Sequence, residues 1–289
     1  MHQFEPGKPA YLSVGEVPVR RILGLNPGLM TGPGTNSYLI GTNRLCILDP
    51  GPADEFQYEN FMRAIGSAKL EAIVVTHTHG DHSPGARRLA EATGAKMIGL
   101  AAPLGPGQDM TFAPDRGYAN REVLDFSEYK LELIYTPGHV SNHVCYLLQE
   151  TKVLFTGDHI LQGTTSVILP PDGSMQDYLK SLSLLRDESI HYLAPGHGGV
   201  MDEPMKEIDS LIAHRLKREK KIFERLRSLG ACDLEKLVIA AYDDVEPHLL
   251  PWAKKTLLAH LIKLEAEGFV EEVGNEWKVE QGVNTPDFY

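Results

Sequence analysis

A chain of 289 residues, 42% hydrophobic and 23% charged with 27 glycines and 19 prolines, has the composition of a turn-rich globular protein, long enough for one large domain and a small appendage. Its net charge of −11 excludes a general attraction for nucleic acid or anionic membrane, so any polyanion must meet a local basic patch. Three widely spaced cysteines, Cys46, Cys145 and Cys232, exclude a disulfide framework and a CxxC metal knuckle; they read as buried small hydrophobes.

The opening MHQFEPGKPAYLSVGEVPVR lacks a charged segment followed by an apolar one, and no stretch is apolar for the length of a membrane span. A cytoplasmic protein without a membrane partner is expected. Apolar runs between glycine and proline turns predict strands over residues 17–22, 36–40, 45–48, 72–75, 96–100, 131–135, 143–148 and 153–155. A helix-like stretch lies near residues 54–65. Hairpins mixed with crossovers point to layered α/β sheets and against an all-parallel doubly wound sheet. From about Met205 apolar residues recur at helix spacing: Ile208, Leu211, Ile212, Leu216, Phe223 and Leu226. Further helices near 233–242 and 251–267 and a hairpin-like tail FVEEVGNEWKVE complete a helix, helix, wing pattern resembling a winged helix. Two domains are expected, 1–204 and 205–289.

Directly after the strand at 72–75, the run THTHGDHSPG packs His77, His79, Asp81 and His82 into six residues. Lone histidines are usually satisfied by ordinary hydrogen bonds, but imidazoles and a carboxylate at this density suit zinc and related first-row metals. Three further strand-end motifs, each beside a glycine that permits a sharp turn, add His139 in YTPGH, Asp158 in FTGDH and His197 in APGHG. Seven such ligands suffice for two ions. His143 and His159 read as hydrogen-bonding neighbours of the ligands, and Thr76 and Thr156 could bond to them. Tyr178, Thr164 and Thr165 read as packing residues that could also line a cleft, and His191 as a strand residue.

With these motifs in this order over residues 17–204, the chain resembles the metallo-beta-lactamase superfamily. The resemblance implies an α+β fold, an αββα sandwich of two mixed sheets with helices outside, followed by the small helical, winged-helix-like domain. It also implies one ion on His77, His79 and His139, a second on Asp81, His82 and His197, and Asp158 bridging them. Two Zn2+ are expected, with Mn2+ or Fe as alternatives. Paired cations hold a water as hydroxide and neutralise charge developing on the substrate, while Asp81 orients the attacking water or passes its proton on.

Asp158 argues against a true beta-lactamase, and only 38 residues between Asp158 and His197 leave no room for the domain inserted in the large nucleases. The flavin-fused oxygen reductases lack the imidazole of His82 and need a flavodoxin partner. Over its full length the chain is most similar to the endoribonucleases of the lactamase-like-protein-2 group, through NPGLMT at 26–31, GTNSY at 34–38, the metal motifs and TLLAHLIKLEAEG at 256–268. That likeness implies a single-stranded RNA substrate; a glyoxalase-II-like thioesterase or a lactonase acting on a small acyl ester, thioester or lactone is the alternative. Residues 214–227 carry seven Lys or Arg against two Glu, a local +5 that could steer phosphates, or equally a solvated helix surface. The glycine-rich loop before Tyr38 is expected to border the cleft and touch substrate. A non-enzymatic module with a vestigial metal site is the competing class, and the oligomeric state is open, a homodimer among the options.

Overall fold

A computed structural model of the chain describes residues 5–288; residues 1–4, where the opening segment begins, and residue 289, the end of the expected second domain, lie outside the described residues. The chain divides into two compact units, residues 5–136, 142–166 and 188–204 in one and 137–141, 167–187 and 205–288 in the other. None of the described helices is long and apolar enough to cross a membrane.

The first unit is built on two mixed sheets. The six-stranded sheet runs in chain order, β1 (Pro9–Tyr11), β2 (Val19–Leu23), β3 (Asn36–Ile40), β4 (Arg44–Leu48), β5 (Lys69–Val74) and β6 (Lys96–Ile98). Its first four strands pair antiparallel, and β4, β5 and β6 pair parallel through α1 (Glu55–Ile65) and α2 (Gly85–Thr93). Helix α1 starts where Asp54 accepts the Gln57 N–H, a standard N-cap. In the five-stranded sheet the order is β11 (Tyr192–Pro195), β10 (Val153–Gly157), β9 (Val144–Leu148), β8 (Lys130–Tyr135) and β7 (Val123–Asp125), antiparallel except for β10 with β11.

Alternation along the strands explains the layering. Tyr38, Ile40, Cys46 and Leu48 point one way and join Leu133, Tyr146, Leu148, Val153 and Phe155 of the other sheet in one buried cluster. Their neighbours Leu39, Leu45 and Ile47 point the other way, against Phe61 and Ile65 of α1 and Leu89 of α2. Each such fully buried side chain is worth roughly 1.5–3 kcal/mol. A one-residue slip in any of these strands would exchange the two clusters.

The second unit contains α3 (Met175–Arg186), the 26-residue α4 (Pro204–Leu229), α5 (Leu234–Ala241), α6 (Leu250–Ala266) and the hairpin β12 (Val270–Val273) and β13 (Glu276–Val279). Ile222, Phe223 and Leu226 of α4, Leu237 of α5, Leu257, Leu261 and Leu264 of α6, Val270 and Trp277 share one buried core. Helix, helix and wing therefore stand where the apolar spacing placed them. Three of the seven cations in the basic stretch of α4 pair with Asp243 and Asp244: Arg218 forks onto Asp244 at 2.8 and 3.0 Å, Lys221 reaches Asp243 and Asp244, and Arg225 reaches Asp243. The Arg218 guanidinium beside Asp244 holds that carboxyl well below the usual range. His191 is not in a strand; it occupies the bend before β11.

Candidate metal centre

Every residue singled out as a ligand follows the C-terminal end of a strand. The run from His77 to His82 follows β5, His139 follows β8, Asp158 follows β10 and His197 follows β11. The pairing directions make these ends coincide, because β8 and β10 both run antiparallel to β9 while β10 and β11 are parallel. Two groups result. His77, His79 and His139 form one, and Asp81, His82, Asp158 and His197 the other; within each, the possible ligand atoms all lie within 4.8 Å of one another.

Four of the five imidazoles are aimed by what their other nitrogens hold. Nδ1 of His82 lies 2.9 Å from Asp49 Oδ2, Nδ1 of His139 lies 2.6 Å from the Val167 carbonyl, and Nδ1 of His197 lies 3.2 Å from the Gly34 carbonyl. These oxygens accept, so each Nδ1 donates and each Nε2 is the nitrogen left to face an ion. Thr76 gives its hydroxyl proton to Asp49 at 2.7 Å, which leaves its oxygen to accept from His77 Nδ1 at 3.0 Å. A ring whose far nitrogen is tied to the protein is the usual support for a metal ligand.

The spacing suits a cation. Four donors tetrahedrally placed about 2.0–2.2 Å from one ion lie about 3.3–3.6 Å apart. Here His82 Nε2 and His197 Nε2 stand 3.3 and 3.4 Å from Asp158 Oδ1, and His197 Nε2 stands 3.3 Å from Asp81 Oδ2. Both Nε2 atoms are buried and make no hydrogen bond among the described residues. Burial works against a proton on His82, yet Asp158, Asp81 and Asp49 raise its proton affinity well above the ordinary value, and His197 is raised against burial by Asp158 and Asp81. Asp81 is pushed up by burial but lowered further by His82 and His197, to about 2. The pocket favours positive charge.

Two glycines are required by close approach. Gly157 takes φ 47°, and a Cβ there would meet the Thr76 hydroxyl at 2.5 Å and His143 Nε2 at 2.8 Å. A Cβ on Gly196 would lie 2.7 Å from His82 Cε1 and 2.8 Å from Asp158 Oδ1. Gly196→Ala is therefore expected to remove metal from the Asp81, His82, Asp158 and His197 group while sparing the His77, His79 and His139 group. Metal content by mass spectrometry, read beside an unchanged thermal melt, checks this; full retention of metal would contradict it.

Sequence reasoning missed Asp49. It follows β4, adopts φ 48°, is fully buried, and accepts from the Thr76 N–H, the Thr76 hydroxyl and His82. Its one visible sign was an acid inside LDPG, which reads as an ordinary turn. Of the secondary candidates, His143 is buried, bonds Thr136 at 2.8 Å and stacks on His77 at 5.3 Å. His159 is buried beside His143, Thr156 donates its hydroxyl to the Ile160 carbonyl, and Tyr178 is fully buried.

Two loops border the centre. Loop 24–34 supplies the Gly34 carbonyl to His197, and loop 99–112 receives the Gly80 N–H at Gly107 and pairs Gln108 with His79. They carry exposed apolar side chains, Leu29 at 72%, Met30, Leu104 at 90% and Met110.

Residues 30–197 match the Metallo-beta-lactamase superfamily and residues 234–277 match the Beta-lactamase associated winged helix domain. A Beta-lactamase-like protein 2 homolog of Caenorhabditis elegans is 33% identical, over 85% of this chain and 82% of that protein. An atrochrysone carboxyl ACP thioesterase of Aspergillus fumigatus is 29% identical, over 73% of this chain and 65% of that protein. The crystal structure of a beta-lactamase domain protein from Burkholderia ambifaria superposes with a TM-score of 0.79 at 16% identity, over 96% of each chain. The chain thus belongs to the metallo-beta-lactamase superfamily, whose members are generally hydrolases, and carries a C-terminal winged-helix domain.

Proposed function

We propose that the chain is a dinuclear metal-dependent hydrolase, with His77, His79 and His139 holding one ion, Asp81, His82 and His197 a second, and Asp158 between them. The observation that carries this is the pair of ligand groups, in which four imidazoles, those of His77, His82, His139 and His197, have their outer nitrogens tied to the protein. The imidazole and carboxylate donor set favours Zn2+, with Mn2+ or Fe as alternatives. Such ions supply a hydroxide nucleophile near neutral pH and neutralise charge on the substrate. Asp81, with 28% of its side chain exposed, is placed to orient the attacking water and take its proton.

The substrate class that the surroundings favour is an acyl thioester or ester. Leu29, Met30, Leu104 and Met110 give the loops beside the centre an apolar surface, and three of the cations of α4, Arg218, Lys221 and Arg225, are held by Asp243 and Asp244. The likeness to a carboxyl ACP thioesterase supports the same reading. Cleavage of single-stranded RNA is the second reading, supported by the full-length likeness to the beta-lactamase-like protein 2 homologs and by the GTNSY motif. Three buried cysteines without a disulfide support a cytoplasmic setting.

A single panel tests this: an acyl-glutathione thioester, an acyl-homoserine lactone, labelled single-stranded RNA and a cephalosporin, each with and without chelator. Chelator-sensitive turnover of the thioester is expected. Turnover of RNA alone would replace the acyl reading with the nuclease one, and a protein purified without stoichiometric metal would leave only a binding module with a vestigial site.

A further inference from the structure

At the end of the glycine-rich loop expected to touch substrate, the polar side chains of GTNSY are turned inward. Asn36 and Tyr38 are fully buried and Arg21, paired with Tyr38 across β2 and β3, is 5% exposed. All three reach the main chain around His197. The Asn36 amide nitrogen donates to the Pro195 carbonyl at 2.9 Å and the Gly198 carbonyl at 2.8 Å. The Tyr38 hydroxyl donates to the Pro195 carbonyl at 2.7 Å, Arg21 Nη1 to the Gly198 carbonyl at 3.0 Å, and the Asn36 backbone N–H to the Gly196 carbonyl at 2.7 Å.

Three acceptors flanking one ligand are thus gripped from one side. On the other side Gln162 accepts the Gly199 N–H at 2.7 Å. Both neighbours of the Asn36 amide are carbonyl oxygens, so only its NH2 end fits there. Its own Oδ1 is buried and accepts no hydrogen bond among the described residues. Leaving a buried acceptor unmet is costly, so the residue is kept for its two donors.

We propose that Asn36, aided by Tyr38 and Arg21, is a positioning residue that fixes the His197 loop and thereby the affinity of the second metal ion. The proposal rests on the two-ion reading above. It predicts a selective effect, because the bonds described run to the His197 loop and not to the segment that carries His77 and His79.

Stripped protein is titrated with Co2+ and followed by its visible absorption, then with Zn2+ by competition, for the wild type, Asn36→Ala, Asn36→Asp and Tyr38→Phe. Removing outer-shell partners of metal ligands commonly weakens binding about 10–100-fold, and Asn36→Ala is expected to do this to the second ion while the first binds as in the wild type. Asn36→Asp, which sets carboxylate oxygens against carbonyls, is expected to be at least as weak. Tyr38→Phe keeps the ring and loses one donor, so a smaller shift of the same sign follows. Activity lost in Asn36→Ala is expected to return as metal is added. Unchanged second-ion affinity in Asn36→Ala and Tyr38→Phe overturns the proposal, as does equal weakening of both ions. A wild type that binds fewer than two ions overturns the two-ion reading itself and is recognised from the wild-type titration alone.

Discussion

Replacing Asp81 with alanine is expected to lower kcat by about 10²–10⁴-fold, the range that general acid–base catalysis commonly supplies. The residue has two tasks in the proposed site. Its Oδ2 lies 3.3 Å from His197 Nε2 and 3.7 Å from His82 Nε2, where it can share an ion with them, and its side chain retains access to solvent. Asp81→Asn keeps the shape and one ligand oxygen but is a far weaker base, so it separates the tasks. Metal content near that of the wild type with kcat still reduced would assign the loss to the proton; metal loss in both variants would assign it to ligation. Full activity of Asp81→Ala on a chelator-sensitive substrate would remove Asp81 from the chemistry.

The second large effect is on stability and lies in the winged-helix unit. Glu219 of α4 is 1% exposed and its carboxylate is shared between His260 Nδ1 at 2.8 Å and Lys263 Nζ at 2.6 Å, both on α6. Glu219→Gln leaves Lys263 half-buried without its nearest counter-charge and is expected to destabilise this unit by about 3–5 kcal/mol, toward the lower end because Glu267 still pairs with Lys263 at 3.0 Å. Replacing all three members with leucine is expected to recover most of that loss, since buried ion pairs rarely outperform packed hydrophobes. Both tryptophans, Trp252 and Trp277, lie in this unit, so their fluorescence in urea follows its unfolding alone. A Glu219→Gln midpoint equal to that of the wild type would contradict the account.

The same triad sets a pH dependence. Burial lowers the His260 proton affinity, and Arg215 and Lys263 add to this against the pull of Glu219. The unfolded chain therefore takes up that proton first, and stability falls as pH drops below about 6.5. Glu219 is raised by burial but lowered more by His260 and Lys263, so its contribution is present above the ordinary carboxylate pKa of about 4.3 and is lost as pH falls through its lower folded value. Lys263, lowered by burial but raised more by Glu219, loses its contribution as pH rises beyond about 10.4. The unit should be most stable between those limits.

Much of the site was legible because a metal demands uncommon residues at fixed spacing. His77, His79, Asp81 and His82 fall within six positions, and three more candidate ligands each stand beside a glycine, a density that turns and cores do not ask for. Asp49 escaped because its work is done by fold geometry: it lies 33 residues from His82 and looks like half of a turn. Asn36 was noticed but its role was not, since a loop motif does not disclose that both amide hydrogens face inward, toward carbonyls 159 and 162 residues along the chain. Strand β7 has only three residues and a mostly exposed pattern, too short for alternation to register. Helix α3 follows PPDG, where turn residues mask the Ser174 cap. The charge of residues 214–227 was countable, but the pairing of Arg218, Lys221 and Arg225 with Asp243 and Asp244 depends on α4 meeting the loop after α5.

The loops beside the centre carry a consequence for descent. Leu29, Met30, Leu104 and Met110 lie outside the buried clusters, while each candidate ligand follows the end of a strand of the two packed sheets. Drift in those four positions is expected to leave the candidate ligands and the packed layers in place. A lineage can therefore exchange one substrate for another by small steps, each ancestor folded and open to selection.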